Sequence, residues 1–69
     1  MTLAARVSVA QRRLAAAGLN EHDAELDAEV LARHALGWER ATYLLRCPEP
    51  PPPAFDTCYD LLIERRCQR

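Results

Sequence analysis

Apolar residues recur along the first quarter of the chain at helical spacing. Leu3, Val7, Ala10, Leu14 and Ala17 are separated by 4, 3, 4 and 3 positions, which places them on one side of a helix. A helix from about Thr2 to Ala17 follows, with Thr2 as its N-cap. Gly18 supplies the left-handed position after it, a conformation that strains other residues. Leu19 is then placed to pack back on Leu14, the hydrophobic signature of a Schellman stop.

A second helix starts at Asn20, another good N-cap. Glu21, Asp23 and Glu25 crowd its first turns, where the helix dipole favours anions. Ala24, Ala28, Leu31 and Ala35 form a narrow stripe with Ala32 beside it, small enough to let another helix approach closely. Leu26 and Val30 lie nearly opposite. Apolar residues on two sides predict a central helix covered on both. Gly37 ends it in the same role as Gly18. The loop Gly18-Leu19-Asn20 allows only an antiparallel helical hairpin.

A short third helix is predicted over about Glu39 to Arg46, with Tyr43, Leu44 and Leu45 turned inward. Pro48 stops it, and Glu49 followed by Pro50 to Pro53 forms a stiff polyproline connector. Pro53 suits the first position of a fourth helix. There Phe55, Cys58, Tyr59 and Leu62 share a face, Leu61 and Ile63 widen it, and the helix runs to the chain end. No stretch alternates as a strand does. The predicted fold is all-α: a small orthogonal bundle of four to five short helices.

Composition narrows the function. The chain has 69 residues, one small domain that buries only about 60% of its unfolded surface. Its two glycines cannot build a phosphate-binding loop, and aromatics at 6% leave little to stack on bases. The net charge of −1 implies no polyelectrolyte partner. Cys47, Cys58 and Cys67, an odd number, fit free thiols in a reducing, cytoplasmic setting. Cys58 is expected in the core, with Cys47 and Cys67 at helix ends. No apolar run reaches the length of a membrane span. The acid-free, arginine-bearing first 20 residues share the texture of an organellar transit peptide, but the helix stop at Gly18 fits a folded segment better.

Candidate chemistry is sparse. No Cys-x-x-Cys or His-x-x-x-His pair opens a zinc site, so no metal is expected. Ser8, Cys58, His22 and His34 form no nucleophile–base arrangement. Glu25 and Glu29, four apart, suit a solvated face. The short-turn helix pair could suggest DNA binding, but the acidic start of helix two is wrong for reading bases. Asp27 flanks the small-residue stripe and needs a partner. Arg40 is the candidate, in a tie holding helix three to helix two, and losing it would cost on the order of 1–3 kcal/mol.

The run Asp27-Ala28-Glu29-Val30-Leu31-Ala32-Arg33-His34-Ala35-Leu36-Gly37-Trp38-Glu39-Arg40 resembles the Asp-Ala-Glu-Leu-Leu-Leu-x-His-x-Leu-Gly-x-x-Arg pattern. That pattern marks the N-terminal domain of HemK/PrmC-type methyltransferases. A preceding helix ending Ala-Gly-Leu and a last helix ending Arg65-Arg66 agree with it, so the resemblance covers nearly the whole chain. Arg33 within the apolar run and Cys47 in place of a common proline depart from it.

The resemblance implies a helical substrate-recognition domain over 1–69. The full enzyme would use S-adenosylmethionine to methylate the glutamine of the Gly-Gly-Gln loop in peptide-chain release factors. Its catalytic domain would follow this one, and the segment itself would carry no catalytic or cofactor-binding residue. Its partners would be the release factor and that catalytic domain, with no direct DNA or membrane contact, and it would be a monomer. Arg12, Arg13, Arg65 and Arg66 are the candidate partner-binding residues; Asp27, Arg40, Gly18 and Gly37 are structural. A free-standing helical adaptor that docks a partner through the helix-four groove is the alternative.

Overall fold

The computed structural model describes residues 1–68. Four helices follow in order: α1 (Leu3–Ala16), α2 (Glu21–Leu36), α3 (Arg40–Arg46) and α4 (Phe55–Gln68). No strand occurs among the described residues, and the fold is a small helical bundle. The predicted end of α4 at Arg69 lies outside those residues.

Local chemistry sets the helix ends. Thr2 Oγ1 accepts the Ala5 N–H at 3.1 Å. At the other end of α1, Leu19 N–H donates to the Leu14 carbonyl at 3.2 Å and Gly18 N–H to Ala15 at 3.1 Å. Those two bonds define the Schellman stop, and Gly18 takes φ 113°. Asn20 Oδ1 accepts the Asp23 N–H at 2.8 Å, while its amide donates to the Asp23 carboxylate. Gly37 closes α2 at φ 69°, with its N–H and that of Trp38 both on the Arg33 carbonyl.

The start of α1 is completed from far along the chain. Leu3 N–H donates to the Glu49 carbonyl at 2.9 Å and Ala4 N–H to the Cys47 carbonyl at 3.1 Å. A helix leaves its first N–H groups unpaired unless something outside it accepts them. Here the loop entering the proline stretch does so. Pro53 does not open α4. It lies in a turn whose Pro52 carbonyl accepts the Phe55 N–H at 3.0 Å, because proline suits the second position of a turn as well as a helix start.

The core is built where α1, α2 and α4 meet. Ala24, Ala28 and Ala32 of α2 are fully buried, and Leu3, Ala10 and Leu14 of α1 pack with them. Phe55, Tyr59 and Ile63 of α4 complete the cluster, with Tyr43 from α3. The alanine stripe lets backbones come close enough for Tyr59 Oη to donate to the Ala28 carbonyl at 2.8 Å. Phe55 and Tyr59 stack with ring centres 4.7 Å apart.

Several apolar residues face outward against expectation. Leu26 and Val30 are exposed, so α2 is covered on one side only. On α3 only Tyr43 turns in; Leu44 and Leu45 are exposed. Cys58 is exposed as well. The buried positions of α4 step by four through Phe55, Tyr59 and Ile63, and that line leaves Cys58 on the flank.

Candidate functional site

The predicted partner-binding arginines come together at one end of the bundle. Contacts at both ends show that α1 and α4 run in the same direction. Arg6, near the start of α1, reaches Asp56 at 2.8 Å and Asp60 at 3.0 Å, near the start of α4. Near the far ends, Cys67 Sγ lies 3.9 Å from the Arg13 carbonyl. Arg12 and Arg13 therefore end α1 beside the last turn of α4, which carries Arg65 and Arg66. All four are exposed, and cations suit helix C-terminal ends.

They are not equivalent. Arg66 Nε lies 2.6 Å from Asp27 Oδ2 and binds α4 to α2. Arg12, Arg13 and Arg65 make no ion pair among the described residues. Among the described residues, these three are the unpaired cations of the basic end.

The expected tie between Asp27 and Arg40 is not made. Arg40 Nε instead lies 3.5 Å from Glu29 Oε2. Arg33 approaches the same carboxylate at 3.8 Å, with its own Nε buried and unpartnered. Asp27 sits on the side of α2 that α4 covers, so a cation arriving from α4 reaches it first. Arg40 does attach α3 to α2, through a different acid. Gly18 and Gly37 occupy the backbone positions expected of them.

Sequence reasoning missed the role of Arg6. Asp56 and Asp60 are four apart and so share a face of α4, which marks a place for a facing cation. Burial pulls the Arg6 guanidinium toward the neutral form, but hydrogen bonds and charge from Asp56 and then Asp60 prevail and raise its pKa. Also missed was the open groove between α2 and the start of α3. It is lined by His22, Glu25, Leu26, Glu29 and Arg40 and encloses about 220 Å³.

The chemical capacity of these surfaces is narrow. No group of three or more His, Cys, Asp or Glu among the described residues is placed to hold a metal. The Tyr59 phenol is pushed up, mainly by burial. The Tyr43 phenol is also pushed up, by burial and then by hydrogen bonding with Cys47. A buried, neutral phenol bonded to a backbone carbonyl serves as a structural donor. The groove is smaller than the roughly 300–1,000 Å³ typical of ligand sites. No described helix is long and apolar enough to cross a membrane.

The family model for the PrmC N-terminal domain matches residues 7–69. No curated protein and no solved structure matches the chain.

Proposed function

This chain belongs to the PrmC N-terminal domain family, and from that premise we propose that it is the substrate-recognition domain of a cytoplasmic protein-(glutamine-N5) methyltransferase. In this reading it holds and orients a peptide-chain release factor. S-adenosylmethionine and the glutamine of the Gly-Gly-Gln loop are handled by a separate catalytic domain. The domain contributes interface and alignment, the positioning part of catalysis.

The family match over residues 7–69 carries the reading. The motif residues support it by what they do locally. Asp27 anchors α4 through Arg66, Gly37 turns the chain, and Arg40 pins α3 to Glu29. They are scaffold, which leaves recognition to the surface. The unpaired Arg12, Arg13 and Arg65 give that surface a basic end suited to an acidic patch on the release factor.

The test is a titration of the fluorescently labelled chain with a release factor, alone and joined to a catalytic half. Saturable binding that tightens on joining is expected. Deleting the domain from the methyltransferase should raise KM for the release factor while leaving kcat on a free Gly-Gly-Gln peptide nearly unchanged, the pattern of lost uniform binding. A KM that does not move on deletion would refute the reading.

A further inference from the structure

The segment that leaves α3 crosses the opening turn of α1 as a strap. Two of its carbonyls make the attachment: Cys47 accepts the Ala4 N–H at 3.1 Å and Glu49 the Leu3 N–H at 2.9 Å. Each of these residues is followed by a proline, Pro48 and Pro50. Proline fixes its own φ and restricts the residue before it. Residues 47–50 are therefore stiff, and the two carbonyls move together. Beside them Leu3 is fully buried.

One side chain fastens the strap to the rest of the bundle. Arg46, the last residue of α3, lies over the Trp38 ring with its guanidinium carbon 4.6 Å from the ring centre. The same guanidinium meets Glu49 Oε1 at 3.5 Å. Trp38 is itself fixed, because its N–H donates to the Arg33 carbonyl near the end of α2. A line of contacts thus runs from α2 through Trp38 and Arg46 to the Glu49 carboxylate, and from the Glu49 carbonyl to Leu3. The Arg46 and Glu49 side chains are 46% and 56% exposed. An ion pair and a cation–π contact that open to water are each weak, so this fastening is reversible in a way that the buried Tyr59 bond is not.

We propose that residues 46–50 form a reversible strap over the first turn of α1, in which Arg46, seated on Trp38, is the positioning residue that keeps Glu49 in place to cap Leu3. Drawing Arg46 away from Glu49 opens that turn and uncovers Leu3 while α2 and α4 stay folded. The strap lies at the opposite end of α1 from Arg12 and Arg13. It is independent of the release-factor reading, and either can fail while the other stands.

The test is amide hydrogen exchange, followed by NMR on the isotope-labelled 69-residue chain, since a local opening is reported by its own amides. Arg46→Ala should speed exchange at Leu3 and Ala4 roughly threefold to tenfold, the combined loss of a surface ion pair and a cation–π contact. Amides inside α2, such as that of Ala28, should not change. Glu49→Gln keeps the capping carbonyl and removes the charge; it should give a smaller rise at the same two amides. Arg46→Lys restores a cation and should recover most of the protection. Trp38 is the only tryptophan, and its emission should shift in Arg46→Ala. Arg40→Ala, on the same helix but paired with Glu29, should leave Leu3 and Ala4 as they were. Unchanged exchange at Leu3 and Ala4 or unmoved Trp38 emission in Arg46→Ala would overturn the proposal. So would an equal rise at Ala28, which marks a general loss of stability, or an equal effect of Arg40→Ala. If circular dichroism shows Arg46→Ala unfolded, Glu49→Gln decides: no rise at Leu3 and Ala4 in that variant refutes the strap.

Discussion

Tyr59→Phe isolates one buried hydrogen bond. The ring is 1% exposed and its hydroxyl donates to the Ala28 carbonyl at 2.8 Å. Phenylalanine keeps the ring, its stacking on Phe55 and nearly all its buried area. The variant therefore removes a donor and leaves a gap the size of one oxygen. A net intramolecular hydrogen bond is worth about 0.5–1.5 kcal/mol, and more when its partner is left orphaned. Ala28 lies within α2, where its carbonyl still faces the helical N–H four residues on, so it is not orphaned. The expected loss is about 1 kcal/mol. A domain this small has roughly 3–5 kcal/mol from its core, so the fraction is large. The melting midpoint, followed by circular dichroism, should fall by about 4–8 °C. An unchanged or higher midpoint would show that the bond does not hold α4 to α2, and the account of the alanine stripe would fail with it.

Alkaline pH should destabilise the fold through its two buried tyrosines. Tyr43 and Tyr59 both have pKa values raised by burial above the ordinary tyrosine value of about 10. Their contribution is full below that pH; above it the unfolded chain loses protons first, and stability falls by up to about 1.4 kcal/mol per pH unit for each. Denaturant midpoints measured from pH 8 upward should show the decline, and Tyr59→Phe should make it shallower. A double-mutant cycle should couple Asp27 to Arg66 by about 0.5–1 kcal/mol, since their side chains are 26% and 48% exposed. The cycle of Asp27 with Arg40 should give no coupling. Gly37→Ala should cost about 1–2 kcal/mol in denaturant unfolding. At φ 69° an added Cβ meets nothing within 4 Å, so the cost is backbone strain alone, and Gly37→Asn should recover part of it.

The helix ends were legible because each is decided within a few residues. Thr2, Gly18, Asn20 and Gly37 act on their own neighbours, and the structure places all four as the sequence implies. The alanine stripe was legible because its spacing is a property of one helix. Choices between helices were not. Asp27 had cations at Arg40 and Arg66 to choose from, and only the packing of α4 across α2 decides for the second. Apolar character was also a one-way guide. Leu26, Val30, Leu44 and Leu45 read as core, but three helices already fill the small interior, and α3 contributes only Tyr43. The groove against Arg40 could not be foreseen, because it exists only once α3 stops short of covering α2.

The carbonyls of Cys47 and Glu49 make the chain's opening turn depend on its middle. Segment 47–49 acts as a latch: until it arrives, Leu3 and Ala4 have no acceptors, and the beginning of α1 frays. Lengthening or shortening the proline stretch would thus be felt first at the opposite end of the sequence, where α1 starts. The prolines, having no amide hydrogens to divert those carbonyls and little freedom to drift, keep that latch in register.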